Sequence, residues 1–191
     1  MTSVNGQLTQ AERNLGLVWV LATVVGWAVG FVVCEALKSF VSTLFVDGLV
    51  IGAFVGIAQG FAVRRLAPMG RWVLVSIIGF GIGLALGEAV APGASTLGAH
   101  ALIGAIIGTA AGVAQWLILR RHVVRAGWWV PANIVAWTVG WTIIRLAEGL
   151  ESSPTLVVYL VGAAGAAIAG IITATALVWL ARPARPLSSP A

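Results

Sequence analysis

Polar residues punctuate this chain instead of alternating along it. Stretches 14–34, 126–144 and 152–181 contain no Asp, Glu, Lys or Arg, and two shorter charge-free runs cover 48–63 and 72–87. A helix needs about 20 apolar residues to cross the hydrocarbon core of a bilayer. The shorter runs reach across if Asp47, Arg64, Arg71 and Glu88 sit among the headgroups or snorkel there. The pattern predicts six transmembrane helices, over 12–37, 46–65, 70–90, 97–120, 128–148 and 154–181. Local signals agree. Thr9 and Glu12 have capping-box spacing, and Pro92-Gly93 breaks the chain between the third and fourth helices. Pro131 and Pro154 fall in first turns, where the missing N–H costs little.

The apolar runs are related to one another. In the odd helices Trp19, Trp72 and Trp129 are followed by Gly26, Gly79 and Ala136, then Trp27, Phe80 and Trp137, then Gly30, Gly83 and Gly140, then Glu35, Glu88 and Arg145, with identical spacing. The second helix carries Gly48, Gly52, Gly56, Gln59, Arg64 and Arg65, and the fourth Gly104, Gly108, Gly112, Gln115, Arg120 and Arg121. The sixth is a degenerate copy with Gly162, Ala166, Gly170 and Thr173. One two-helix hairpin is therefore used three times, over 12–65, 70–121 and 128–182, followed by a flexible Pro-rich tail at 183–191. A two-span unit repeats in parallel, about an axis along the membrane normal. The expected fold is all-α: a single integral membrane domain of three tandem hairpins with pseudo-threefold symmetry. Small residues at every fourth position, a glycine-zipper pattern, mark Gly48, Gly52, Gly56, Gly104, Gly108, Gly112, Gly162 and Gly170 as helix-packing positions, since close backbone approach drives association in lipid.

Composition strengthens the membrane reading. Of 191 residues 60% are hydrophobic and only 9% charged, against about 25% charged in a soluble domain. The apolar first run lacks a cleavage site and reads as an uncleaved helix. The charges are sorted by side. Arg13, Arg64, Arg65, Arg71, Arg120, Arg121, Arg125, Arg182 and Arg185, nine of the eleven basic residues, fall at one end of the helices. Lys38 and Arg145 fall at the other, as do the acids Glu35, Asp47, Glu88, Glu148 and Glu151. Basic short loops remain cytoplasmic, so both termini are expected inside, in a bacterial inner membrane. Trp19, Trp72, Trp116, Trp128, Trp129 and Trp179 fall near the inner interface, as an aromatic belt would. Anionic lipids are the expected partners of the basic face, with self-association or a larger membrane complex besides. No nucleic-acid motif accompanies the charge.

Two polar layers follow from the spacing. The outer one is a candidate charge network of Glu35, Lys38, Glu88, Arg145 and Glu148, in which Arg145 is placed to pair with Glu35, Glu88 or Glu148, and Lys38 with Glu148. Intramembrane charges are functional candidates by default, and the competing reading is a structural clasp. The inner one comprises Thr23, Gln59, Ser76, Gln115, Asn133 and Thr173, all roughly 6–8 Å from the inner interface at 1.5 Å rise per residue. It is expected to form a hydrogen-bonded ring; the alternative is a wet vestibule.

Cys34 is the only cysteine, which excludes an intrachain disulfide. His100 and His122 have no second ligand at metal spacing and read as surface residues. There is no Ser-His-Asp set, HExxH or phosphate loop, so no enzyme activity, metal or cofactor is expected.

The segment Gly108-Thr-Ala-Ala-Gly-Val-Ala-Gln-Trp-Leu-Ile-Leu-Arg-Arg121, followed by Ala126-Gly-Trp-Trp-Val130, resembles a recurrent pattern in uncharacterised bacterial multi-span membrane proteins, across most of the chain. The resemblance carries no activity. The functional expectation is a structural or accessory component of a membrane assembly. The alternative is a small-solute transporter, channel or substrate-binding transporter subunit that uses the outer charges.

Overall fold

The computed structural model describes residues 8–40, 43–148 and 155–182, with 147, 148 and 155 described by backbone alone. Glu151, Pro154, Arg185, the tail at 183–191 and the Glu148 side chain lie outside the described residues. Six α-helices account for most of the rest: α1 (Gln10–Leu37), α2 (Leu44–Val63), α3 (Met69–Val90), α4 (Leu97–Leu119), α5 (Trp129–Glu148) and α6 (Thr155–Ala181). A short 3-10 turn, Ala126–Trp128, leads into α5.

Helix starts follow from local chemistry. Thr9 Oγ1 accepts the Glu12 N–H at 3.2 Å while the Glu12 carboxylate accepts the Thr9 N–H at 2.6 Å, a reciprocal capping box. Thr43 and Thr96 cap α2 and α4 by accepting from Val46 and Ala99. Between α3 and α4 the chain turns at Gly93, whose φ of 61° is the one left-handed backbone among the described residues.

Each helix packs against its neighbours in sequence, and α1 packs against α6, so the six form a closed ring. Five of them are long and apolar enough to cross a membrane: α1, α2, α3, α4 and α6 from Leu156. α5 is not among them, so five of the six expected spans meet that measure. Its 20 residues include Trp129, Asn133, Trp137, Thr138, Trp141, Thr142 and Arg145, and indole and hydroxyl groups lower its apolarity without shortening it.

Small residues set the helix spacing. Gly26 and Gly30 of α1 lie against Val55 and Ile51 of α2; Gly48, Gly52 and Gly56 of α2 lie against α3. Gly79, Gly83 and Gly87 of α3 face Ala111, Ile107 and Ile103 of α4, and Gly104, Gly108 and Gly112 of α4 face α5. Gly140 of α5 meets Gly165 of α6, and Gly162 and Gly170 of α6 meet Trp27 and Thr23 of α1. Every helix thus offers glycine to the next one around the ring. A methyl at Gly26 would stand 2.6 Å from Val55 Cα and one at Gly52 2.7 Å from the Ser76 carbonyl oxygen, so a larger residue would push neighbouring backbones apart.

The circumference is apolar. On α1, Leu17, Leu21, Val25, Val29 and Val32 are exposed at three- and four-residue spacing, and every other helix has comparable outward positions. Inside lie two apolar clusters. One, toward the arginine-bearing ends, contains Trp19, Val63, Trp72, Leu119, Trp129 and Leu177. The other fills the middle and opposite half with Trp27, Val55, Phe80, Leu84, Ile107, Trp137, Trp141 and Ile144.

Candidate functional site

Trp19, Trp72 and Trp129 meet at the centre of the arginine-end cluster. Their ring centroids are 5.9, 5.5 and 6.0 Å apart with interplanar angles of 76°, 79° and 62°, edge-to-face contacts that suit the aromatic quadrupole. All three have 0% exposure. This corrects their reading as members of an interfacial belt. Only Trp116, Trp128 and Trp179 of that set retain outward surface. The indoles of the other three turn inward, and helix neighbours supply acceptors there for Trp19 and Trp129.

Those acceptors belong to the inner polar residues. Thr23, Gln59, Ser76, Gln115, Asn133 and Thr173 are all buried, with exposures of 4% or less. Trp19 Nε1–H donates to Thr173 Oγ1 at 2.9 Å, and Trp129 Nε1–H donates to Gln115 Oε1 at 2.9 Å. Gln115 Nε2 donates to Ser76 Oγ at 3.0 Å, and Gln59 Nε2 to Thr23 Oγ1 at 3.0 Å. Thr23 Oγ1 donates onward to the Trp19 carbonyl, Asn133 Nδ2 to the Trp129 carbonyl and Thr173 Oγ1 to the Ala169 carbonyl. Four side-chain bonds therefore cross between helices, each contributing about 0.6–1 kcal/mol in this setting. None of the six side chains carries a charge, so the layer can fix rotation and register of the helices but cannot neutralise an ion.

One bond is missing. By analogy with Trp129 and Gln115, Trp72 Nε1–H would donate to Gln59 Oε1. Both atoms are buried and neither has a hydrogen-bond partner. Trp141 Nε1, further along α5, is likewise buried without one. Sequence equivalence between Trp72 and Trp129 carries no sign of this difference.

The outer charges lie at the opposite helix ends, in a different environment. Lys38 Nζ is 2.5 Å from Glu35 Oε1 on its own helix, with side-chain exposures of 55% and 35%. Glu35, Asp47, Glu88 and Arg145 are all half-buried. The partner proposed for Lys38 across the bundle, Glu148, has its side chain outside the described residues. His100, at the start of α4, is 8% exposed and is thus interior, contrary to its reading as a surface histidine: the α4 stripe containing Ile103, Gly104 and Ile107 faces inward, and His100 lies on it one turn earlier. His122 is exposed. Among the described residues, no group of three His, Cys, Asp or Glu side chains converges.

Among the described residues, three grooves on the outer circumference stand out. One, between α5 and α6, has a volume of about 640 Å³ and includes Trp128, Val135 and Trp179. Another of about 640 Å³ runs between α1 and α6 below Arg13 and Arg182. A third of about 510 Å³ lies between α1 and α2 beside Arg64 and Arg65. All three lie at the arginine-bearing ends, away from the outer charges. No protein-family model matches this chain, and neither does any curated protein sequence or solved structure.

Proposed function

We propose that this chain is a six-span structural or accessory component of a membrane assembly, and that its centre is a seal. The observation that carries this reading is the interior layer in which Trp19, Trp72 and Trp129 close on one another with no accessible surface. A solute path along the bundle axis would have to part three indoles and the uncharged hydrogen bonds beside them.

The reading takes α5 as the sixth span, supported by its packing between α4 and α6. Support for a threefold repeat comes from the near-equal separations in the tryptophan triad and from equivalent bonds: Gln59 to Thr23 matches Gln115 to Ser76, and Trp19 to Thr173 matches Trp129 to Gln115. The glycine contacts that recur around the ring support it too. The concentration of arginine at one end supports a cytoplasmic placement of both termini, with anionic lipid at that face, and a bacterial inner membrane suits this topology.

The competing reading, a small-solute transporter using Glu35, Glu88 and Arg145, rests on the half-burial of those side chains. It supplies no route from them through the triad. Proteoliposome flux and in-membrane cross-linking separate the two. A structural component gives no saturable solute uptake and a reproducible cross-linked membrane-protein neighbour or second copy. Uptake that is saturable and abolished by Glu35→Gln or Glu88→Gln in a folded protein would overturn the proposal.

A further inference from the structure

We infer that the α6 corner of the arginine-bearing end is a binding site for one anionic diacyl phospholipid, its headgroup held by Arg13, Arg125 and Arg182 and its two tails lying on either side of α6. The inference deepens the membrane-component reading above and rests on it.

Two grooves flank α6, one shared with α5 and one with α1, and each has a volume of about 640 Å³. Small-molecule sites span about 300–1,000 Å³. The grooves share Thr175 and Trp179, which form the ridge between them. Ile171 and Ile172 continue their walls two turns from Trp179, so both grooves run roughly 12 Å along the helix axis. Their lining is almost entirely apolar below the level of Trp179, which suits hydrocarbon and not a polar solute.

The upper rim is cationic. The Arg125 guanidinium carbon lies 4.7 Å from the Trp179 ring centroid, which parks a positive charge on top of the ridge by cation–π attraction. Arg182 Nε is 2.6 Å from Glu12 Oε1 and is 41% exposed, so the pairing leaves guanidinium surface open. Arg13 lines the α1 groove beside them. Three arginines against one glutamate leave two positive charges at the point where the two grooves converge. Two apolar channels meeting under an excess of positive charge match a phosphate ester bearing two acyl chains, and basic pockets between helices are a recurrent solution for such headgroups. Arginine suits phosphate through its planar donor fork. The site differs from the general basic face in this pairing of channels: Arg64 and Arg65 overlook a single groove.

The test is competitive lipid retention. The full chain is reconstituted in nanodiscs containing equimolar phosphatidylglycerol and phosphatidylcholine, then released and weighed by native mass spectrometry. One phosphatidylglycerol per chain should be retained in preference to phosphatidylcholine. Arg125→Gln and Arg182→Gln should each lower that preference about fivefold, the effect of roughly one surface charge. Arg71→Gln removes the same charge from exposed surface on α3 and should leave it unchanged. Thr175→Phe places a ring on the ridge shared by both grooves, from an exposed position, and should sharply lower retention of either lipid with thermal stability intact. Equal retention of the two lipids, insensitivity to the Arg125→Gln/Arg182→Gln pair, or an equal loss with Arg71→Gln would overturn the site. A protein that sits stably in the nanodisc but retains no lipid refutes this inference alone. A protein that fails to incorporate refutes the membrane-component reading beneath it.

Discussion

Gln115 and Gln59 occupy equivalent places on α4 and α2, yet replacing each with Met should have unequal consequences. Met preserves the volume and removes the polar atoms. At Gln115 two bonds are lost, the 3.0 Å donation to Ser76 and the 2.9 Å acceptance from Trp129. At about 0.6–1 kcal/mol each within a membrane bundle, plus about 1 kcal/mol for leaving the Trp129 N–H buried and unpaired, the cost comes to roughly 2–3 kcal/mol. At Gln59 only the 3.0 Å donation to Thr23 is lost. Thr23 keeps its own donation to the Trp19 carbonyl, so no donor is stranded, and the substitution also removes an acceptor that was already unsatisfied. The expected cost is no more than about 1 kcal/mol. Unfolding free energies from steric trapping in bicelles measure both variants under bilayer-like conditions. A Gln59→Met cost equal to or above that of Gln115→Met would refute the hydrogen-bond assignment, and with it the asymmetry between the two hairpins.

Other expectations follow from the packing and the charges. Gly52→Leu and Gly108→Leu should each destabilise by about 2 kcal/mol or more by wedging apart backbones in contact, whereas Val25→Leu on the exposed face of α1 should change detergent melting little; tolerance at both glycines would place them away from helix contacts. A double-mutant cycle of Lys38→Met with Glu35→Gln should return a coupling below about 0.5 kcal/mol in the same assay, because that pair is partly solvated and local to one helix. Double-mutant cycles of Arg145→Leu with Glu35→Gln, Glu88→Gln and Glu148→Gln should return one coupling that exceeds the others; three null couplings would dissolve the clasp. Single cysteines at Arg65 and His122, in a Cys34→Ala background, should label only from the cytoplasmic side and one at Gly93 only from outside, and the reverse would invert the orientation.

What could be read from residue order alone has a physical boundary. Lipid demands long charge-free stretches, so the helices declare themselves, and the observed limits differ from the expected ones by at most two residues, the scatter usual at helix ends. Equal distance along a helix means equal depth, so the spacing from Trp19, Trp72 and Trp129 puts Thr23, Ser76 and Asn133 at one level before any packing is known. Rotation about each helix axis is the harder quantity. With apolar residues on both the inner and the outer face, the pattern does not say which way an indole turns. By position Trp19, Trp72 and Trp129 therefore fit an interfacial belt, although they point to the centre. The acceptors of Trp19 and Trp129, Thr173 and Gln115, sit 154 and 14 residues away, distances over which local pattern is silent. The burial of His100 is hidden from the pattern for the same reason. Matched spacing also hides differences: it does not signal that Trp72 lacks the bond that Trp129 makes.

Ser76 lies beside the tryptophan triad with 0% exposure and accepts its hydrogen bond from Gln115, so its solvent contact reports directly on whether the centre is closed. In a Cys34→Ala background reconstituted in liposomes, Ser76→Cys should stay unmodified by a small water-soluble thiosulfonate added from either side, while cysteines at Gly93 and His122 react within minutes. Rapid modification of Ser76→Cys from either side, in a protein with an unchanged melting profile, would reveal an aqueous path into the bundle and contradict a sealed centre.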